Sequence, residues 1–225
     1  MGTTTTLTSA DGFQLGAYQA TPAGTPKGGV VVIQEIFGVN SHIRSVVDGY
    51  AANGYTAIAP ALFDRVERGV ELGYTEGDIA IGIDIARGKT DLDKAIDDVR
   101  AAAAAIAPAG KAGVVGYCWG GLVTAVSAIR LGDVFSAASA YYGGGTPTLA
   151  GQTPVVPMIM HYGEEDHAIP LADVDTLRAA WPGVTFHIYA AGHGFNCDQR
   201  GSHDAAAAAS ALERTLAFFG EHLAG

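Results

Sequence analysis

Short apolar runs rich in valine and isoleucine alternate along the chain with longer stretches in which apolar residues recur at helical spacing. The first pattern is typical of strands buried on both faces, and the second is typical of amphipathic helices. Parallel strands need a crossover connection, so the alternation predicts an α/β fold: a mostly parallel sheet covered by helices on both faces. The predicted strands are residues 29–34, 56–62, 112–117, 137–142, 155–162 and 185–189, and the predicted helices are 41–51, 92–106, 122–129, 171–181 and 208–223.

Two segments depart from this alternation. Residues 1–21 alternate around Asp11-Gly12, a dipeptide that favours a tight turn, and are predicted to form an antiparallel hairpin at the sheet edge. Residues 64–90 are polar, weakly periodic and too long for a simple connection, so we interpret them as a small insertion near a functional edge. Because 225 residues can bury one large core, we expect a single domain over residues 1–225.

Charge and hydropathy exclude several classes of partner. The 23 acidic and 13 basic side chains give a net charge of −10, which would repel a nucleic acid. No apolar run approaches the roughly 20 residues that span a bilayer, so no membrane partner is expected. The N-terminal threonine tract has no features of a secretion signal, and we expect a cytoplasmic protein. In that compartment the two cysteines, Cys118 and Cys197, would remain thiols.

The hexapeptide Gly116-Tyr117-Cys118-Trp119-Gly120-Gly121 lies between a predicted strand and a predicted helix. Glycines two residues before and two after a nucleophile permit the strained strand-to-helix turn that holds its side chain above the sheet. The helix that follows offers unpaired N–H groups and a positive dipole end, which favour a thiolate. The pattern predicts Cys118 as a catalytic nucleophile; the alternative is a buried structural cysteine.

Two further residues complete a candidate triad. Asp166 follows the strand predicted at 155–162, and His193, flanked by glycines, follows the last predicted strand. The order nucleophile, acid, histidine is the one that the α/β-hydrolase arrangement requires. His193 would take the thiol proton and later activate water, and Asp166 would fix the orientation of the imidazole.

Several separated motifs in register resemble the dienelactone hydrolase family, also called carboxymethylenebutenolidases, a cysteine-using branch of the α/β-hydrolase fold. The resemblance runs over residues 34–38, 116–121, 162–170 and 192–195. It implies the triad above, and it implies Glu35 as an extra carboxylate that pairs with the resting cysteine and moves when substrate binds. It also implies an oxyanion hole formed by the backbone N–H groups of Ile36 and Trp119. The alternative for Glu35 is a surface loop residue.

The sequence departs from the family where the substrate carboxylate would bind. Members of the family hold that group with arginines, one of them four residues after the triad histidine, and Cys197 occupies this position here. Arg200 is the nearest replacement, because a guanidinium can bond both carboxylate oxygens. Phe37, Phe195 and Cys197 are predicted as pocket walls. Three arginines of residues 64–90 are further candidates for the same role: Arg65, Arg68 and Arg87.

The expected substrate is therefore a small ester or enol lactone, one able to carry a carboxylate, with other activated esters and thioesters as alternatives. We expect no cofactor and no metal, in a monomer or weak homo-oligomer. Two rival interpretations remain: a non-catalytic ligand-binding protein on a hydrolase scaffold, and a metal site. The metal site would draw on histidines, cysteine and acids near the end of the chain and on the loop at 166–167, although their spacing fits no zinc signature well. Its candidate ligands are His193, Cys197, Asp198 and His203, with Asp166 and His167.

Overall fold

The protein folds around one eight-stranded sheet in the order β1-β2-β4-β3-β5-β6-β7-β8. The structure is a computed structural model that describes residues 1–224. Strands β3 to β8 run parallel to one another, and β2 pairs antiparallel with both β1 and β4. This confirms the predicted α/β class and the antiparallel N-terminal hairpin. The strands are β1 (Thr3–Thr8), β2 (Gln14–Ala20), β3 (Gly29–Ile33), β4 (Thr56–Pro60), β5 (Ala112–Tyr117), β6 (Phe135–Tyr141), β7 (Met158–Gly163) and β8 (Thr185–Tyr189).

In the part of the chain that the structure describes, six α-helices connect or follow these strands. They are α1 (Ser41–Ala52), α2 (Glu76–Ile83), α3 (Leu92–Ile106), α4 (Trp119–Arg130), α5 (Leu171–Ala180) and α6 (Ala205–Leu223). Helices α1 and α6 pack on one face of the sheet, and α3 and α4 pack on the other. The central strands β3, β4 and β5 are therefore buried along their whole length, which is why their sequences are almost continuously apolar. Among the described residues, no helix has the length and apolar character needed to cross a membrane.

The structure corrects three predicted boundaries or faces. The strand predicted from residue 155 begins at Met158, after Pro157, and Val155 is 64% exposed. The strand predicted to residue 62 ends at Pro60, because a 3-10 helix, Leu62–Arg65, begins there. In α6 the predicted apolar face is rotated: Leu212 is exposed, although Phe219 and Leu223 are buried as expected. The small residues Ala207, Ala211 and Thr215 face the sheet instead, which allows α6 to approach it closely.

The segment at 64–90 is more regular than its sequence predicts. It contains α2, which begins with a capping box between Thr75 and Asp78, and a π-helical turn, Asp84–Lys89. The segment packs against the loop after β3: the Leu72 N–H donates to the Phe37 carbonyl at 2.9 Å, and Gly38 forms an isolated bridge with Glu71. Residues 64–90 thus hold the backbone that follows β3.

Candidate active site

Four parallel strands end at one edge of the sheet, and each is followed by a residue predicted from the sequence to be catalytic. Glu35 follows β3, Cys118 follows β5, Asp166 follows β7 and His193 follows β8. Because parallel strands place their carboxyl ends together, residues far apart in sequence meet at this edge. The structure brings Cys118, Asp166 and His193 into one hydrogen-bonded line.

Cys118 occupies a strained turn between β5 and α4. Its backbone has φ 56° and ψ −117°, a conformation that residues other than glycine rarely adopt. The neighbours allow it: a Cβ on Gly116 would overlap with the Gly120 carbonyl, and one on Gly120 would overlap with the Gln34 carbonyl. The Cys118 N–H donates to the Tyr141 carbonyl at 3.0 Å, which fixes the turn to β6. The glycines of the motif are therefore required by backbone packing.

The His193 ring connects the sulfur to the carboxylate. Its Nε2 lies 3.2 Å from Cys118 Sγ, and its Nδ1 lies 2.7 Å from Asp166 Oδ2. Since a carboxylate can only accept, Nδ1 carries a proton and donates it to Asp166. Burial alone would lower the pKa of His193, but the hydrogen bonds to Asp166 and Cys118 outweigh burial and raise that pKa to about 10. The ring can therefore hold a second proton, on the nitrogen that faces the sulfur.

The loop after β7 holds the Asp166 carboxylate rigidly. Its Oδ1 accepts the backbone N–H groups of Ala168 at 2.8 Å and Ile169 at 3.1 Å. The second oxygen is thus left free to receive His193, and the side chain is fully shielded from solvent. Such double acceptance fixes the carboxylate, and through it the plane of the imidazole.

The backbone N–H groups of Ile36 and Trp119, predicted to form an oxyanion hole, lie in the segments that directly follow β3 and β5. Trp119 is the first residue of α4, where N–H groups have no intrahelical acceptor, and Ile36 lies in the loop after β3. Neither N–H donates to an acceptor within residues 1–224. Helix α2 packs directly against the backbone of Ile36: a Cβ on Gly82 would overlap with the Ile36 carbonyl. This contact fixes the position of the Ile36 peptide.

Glu35 is buried, with 1% exposure, so the alternative of a surface loop residue is wrong. Its partner, however, differs from the one that the resemblance implies. Oε1 accepts from Arg200 Nη1 at 3.4 Å, and the sulfur of Cys118 bonds to His193 instead. Oε2 has no hydrogen-bond partner within the described chain. In this conformation the Glu35 carboxylate faces Arg200 and makes no hydrogen bond to Cys118, His193 or Asp166.

Tyr142, which no sequence motif indicates, lies against the His193 ring of the triad. Its φ is 37°, its hydroxyl is buried without a partner among residues 1–224, and its ring packs edge-on against His193 at 5.2 Å. A strained, unsatisfied residue of this kind is typical of a functional site. The only sequence signal is its place at the end of β6, on the same edge as the triad.

The predicted pocket walls are more deeply buried than expected. Phe195 and Cys197 are fully buried, and Phe195 packs against Tyr142 with ring centroids 5.2 Å apart. Phe37 lies under the Arg200 guanidinium at 5.6 Å. The guanidinium also passes over Gly194, where a side chain would collide with it. These residues therefore position Tyr142 and Arg200.

Two clefts open at this edge and meet at Ala168. One, of about 630 Å³, is lined by His193 and Arg200; the other, of about 470 Å³, is lined by Trp119 and Arg87. The other candidate arginines are engaged elsewhere. Arg65 bonds Asp98 at 2.7 and 2.8 Å and also Asp11, and Arg68 donates to the Gln14 carbonyl at 2.8 Å. Arg87 and Arg200 are thus the arginines that line the clefts.

The metal cluster considered from the sequence does not assemble as proposed. Within residues 1–224, the group of three potential ligands whose atoms lie within 4.8 Å of one another is Glu35, His42 and Cys197. His193 belongs to the triad, and Asp198 contacts His42 through Nδ1 at 3.0 Å. Cys197 therefore meets residues from the loop after β3 and from α1, which spacing along the last segment could not indicate.

Several known proteins of one family are similar to this chain. The sequence profile described as "Dienelactone hydrolase family" matches residues 15–223. A Synechocystis sp. protein provisionally named a carboxymethylenebutenolidase is 36% identical, with 92% of each chain covered. A carboxymethylenebutenolidase of Pseudomonas putida is 32% identical, covering 94% of this chain and 93% of the other. A crystal structure from Klebsiella pneumoniae, provisionally named a dienelactone hydrolase, superposes with a TM-score of 0.87 at 29% identity, covering 98% of each chain.

Proposed function

The chain belongs to the dienelactone hydrolase family of the α/β-hydrolase fold and is a hydrolase of esters or lactones, and from this premise we propose that Cys118 is its nucleophile and acts through an acyl-thioenzyme. One observation carries the proposal: the unbroken line from Cys118 Sγ through the His193 ring to Asp166 Oδ2. A nucleophile, a base and an orienting acid in hydrogen-bond contact are the minimum that covalent acyl transfer needs.

Acylation begins when the Cys118 thiol gives its proton to His193 Nε2. The sulfur attacks the carbonyl carbon of the substrate, and the π electrons of the C=O bond move to its oxygen. The N–H groups of Ile36 and Trp119 stabilise that oxyanion, aided by the positive end of α4. Collapse reforms the C=O bond and breaks the bond to the leaving oxygen, which takes the proton from His193. For a lactone, the leaving oxygen stays on the acyl group.

Deacylation regenerates the free enzyme. His193 removes a proton from a water molecule, whose oxygen attacks the thioester carbonyl. The C–S bond then breaks, the carboxylic acid leaves and the sulfur recovers its proton. Asp166 stabilises the imidazolium in both halves of the cycle and does not itself become protonated.

The sulfur nucleophile selects for activated substrates. A thiolate is a good leaving group, so its return from the tetrahedral intermediate competes with expulsion of the other group. Poor leaving groups such as amines lose this competition, whereas enolates and aryl oxides win it. We therefore propose enol lactones and activated esters as substrates, with thioesters as the alternative on the same triad.

Glu35 and two arginines shape the proposed substrate site. The Glu35 carboxylate can face Cys118 in one conformation and Arg200 in another, and its bond to Arg200 corresponds to the state in which the thiol is free to react. Arg87 makes no ion pair within residues 1–224, and it lines the same cleft as Trp119. A free guanidinium at this place suits the carboxylate of a substrate whose ester carbonyl lies over Cys118.

A substrate panel tests the proposal. Hydrolysis of dienelactone, aryl esters, thioesters and aryl amides would be measured for the unmodified protein and for Cys118→Ser. We expect lactones and aryl esters to be turned over, amides to be inert, and the variant to lose at least about a thousandfold in kcat. Full activity after alkylation of Cys118 by iodoacetamide would contradict the proposal. The relative rates of lactones and thioesters decide between the two substrate classes.

A further inference from the structure

Three buried side chains from distant parts of the chain lie close to one another. Glu35 lies in the loop after β3, His42 is the second residue of α1, and Cys197 lies in the loop after β8. One ligand atom of each lies within 4.8 Å of the other two. Their exposures are 1%, 3% and 0%, so none of them faces bulk water. Carboxylate, imidazole and thiol are the three side-chain types that bind zinc in proteins.

Two polar atoms of this cluster are left without partners. Glu35 Oε2 and His42 Nε2 are both buried and have no hydrogen-bond partner within the described chain. A buried polar atom without a partner costs about 1–3 kcal/mol, and two of them beside the same thiol need a common explanation. Both are lone-pair donors when Glu35 is ionised and His42 carries its proton on Nδ1.

Asp198 fixes that form of His42. Its Oδ1 lies 3.0 Å from His42 Nδ1, and because a carboxylate only accepts, Nδ1 carries the proton. The free lone pair is then on Nε2, the buried ring nitrogen that has no partner within the described chain. An imidazole oriented by a carboxylate on its far nitrogen is the usual arrangement around histidines that bind metals.

We propose that Glu35, His42 and Cys197 form a binding site for a divalent transition metal ion, with Zn²⁺ as the ion that best fits a carboxylate, an imidazole and a thiolate. Three protein ligands leave the fourth tetrahedral position to water. Zinc-to-ligand distances of about 2.0–2.3 Å place ligand atoms about 3.5 Å apart, so atoms that lie within 4.8 Å of one another would approach by at most about 1.3 Å when the ion binds.

The local charges allow a cation at this place. The thiolate and the Glu35 carboxylate would neutralise a divalent ion, and the Asp198 carboxylate pairs with His42. Arg200 reaches only Oε1 of Glu35, at 3.4 Å, so Oε2 is available for the metal. Glu35 would then bridge the guanidinium and the ion.

Metal binding has a consequence for catalysis that rests on the role proposed above for Glu35. The ion would hold the Glu35 carboxylate on the Arg200 side and prevent it from returning to Cys118. Occupancy should therefore change turnover without changing the triad itself. Because binding is measured separately from activity, a failure of the metal site and a failure of the proposed catalytic role are distinguishable.

Cobalt titration tests the site. Protein freed of metal by dialysis against a chelator is titrated with Co²⁺, and the thiolate-to-cobalt charge-transfer absorption and the visible bands of tetrahedral Co²⁺ are followed. We expect saturation at one equivalent, displacement of Co²⁺ by Zn²⁺, and loss of the absorption in Cys197→Ser and His42→Gln. Cys118→Ser is the matched control and should keep the full signal, because its sulfur belongs to the triad.

Asp198→Asn is a variant that leaves the packing of the hydrophobic core intact, because the Asp198 side chain is 63% exposed. It should bind one equivalent of Co²⁺ about 10- to 100-fold more weakly. Circular dichroism of each variant establishes whether it is folded. If Cys197→Ser or His42→Gln unfolds, the affinity of Asp198→Asn for Co²⁺ decides whether the metal site exists. Absence of stoichiometric binding, unchanged affinity in Asp198→Asn, or a signal lost in Cys118→Ser but kept in Cys197→Ser would overturn the proposal.

Discussion

Gly82 of α2 lies directly against the carbonyl of Ile36, so closely that a Cβ at this position would overlap with the carbonyl oxygen. The N–H of Ile36 is one of the two proposed oxyanion donors, and Glu35 is its neighbour in the chain. The segment at 64–90 therefore acts on the active site through the backbone, as the support that fixes the loop after β3.

Gly82→Ala should impair catalysis more than folding. The added methyl group displaces the Ile36 carbonyl and with it the peptide that carries its N–H group. A misplaced oxyanion donor is expected to lower kcat for an aryl ester by about tenfold to a hundredfold. Steady-state kinetics and thermal unfolding of the variant check this.

Gly77→Ala is the matched control for that substitution. Gly77 is in the same helix, and the nearest atom to an added Cβ is Thr75 Oγ1 at 3.8 Å, an ordinary contact. This control should keep full activity and gain slightly in stability, since alanine favours a helix more than glycine. A folded Gly82→Ala protein as active as Gly77→Ala would show that α2 does not position the loop.

The strained turn at Cys118 could be predicted from the sequence because its determinants are local. The strain at Cys118 needs small residues at positions 116 and 120, and both are glycines in the printed motif. The placement of Asp166 and His193 follows from the predicted strand ends, because carboxyl ends of parallel strands share one edge. The contact of Glu35 with Arg200 could not be predicted, since it depends on the path of the guanidinium over Gly194.

Other features could not be predicted from the sequence because they depend on tertiary packing. His42 and Asp198 are 156 residues apart in the sequence, and no spacing rule connects them. The prediction of the apolar face of α6 was wrong. Because α6 lies close to Gly113, it turns its small residues towards the sheet and leaves Leu212 exposed. Helix α2 and the π-helical turn were missed because their glycines weaken the periodic pattern.

Asp166→Asn should lower kcat strongly while leaving the loop intact. The amide oxygen can still accept the N–H groups of Ala168 and Ile169. The amide nitrogen, however, would face Nδ1 of His193 and favour the tautomer that cannot accept the thiol proton. A loss of about a thousandfold or more in kcat is expected. Asp173→Asn, at an exposed aspartate, serves as the control. A near-normal kcat in Asp166→Asn would show that Asp166 has no catalytic role.

The stability contributed by His193 should depend on pH in one direction. Its pKa rises from 6.5 to about 10 on folding, so the folded state holds the proton more tightly than the unfolded state. The contribution is fully present below about pH 6.5 and is lost as the pH rises towards about 10. Asp166 and Cys118 face the ring through its two nitrogens, and Tyr142 packs against its face.

The difference in free energy of unfolding between the unmodified protein and His193→Gln measures this contribution. Denaturant unfolding at several pH values should give a difference that shrinks between about pH 6.5 and pH 10. His203→Gln, at an exposed histidine whose side chain makes no hydrogen bond within residues 1–224, corrects for the general effect of the substitution. A His193→Gln difference that stays constant or grows over this range would contradict the raised pKa.

Arg87→Gln should discriminate between substrates. If Arg87 binds a substrate carboxylate, its loss raises KM for a carboxylate-bearing lactone by about tenfold, the cost of one charge-assisted hydrogen-bond contact. KM for a neutral aryl ester should be unchanged. Arg100→Gln is the control, because Arg100 is paired with Asp133 away from the clefts. An equal effect of Arg87→Gln on charged and neutral substrates would assign Arg87 a structural role.

The covalent role of Cys118 can be observed directly by mass spectrometry. The protein is mixed with an excess of an activated aryl ester, quenched in acid within the first turnovers and digested for peptide mapping. The account predicts one acyl group per chain, attached to the sulfur of Cys118 and formed at the same rate as the initial burst of phenol. Steady turnover with no acyl group on Cys118, or with the acyl group on another side chain, would contradict it.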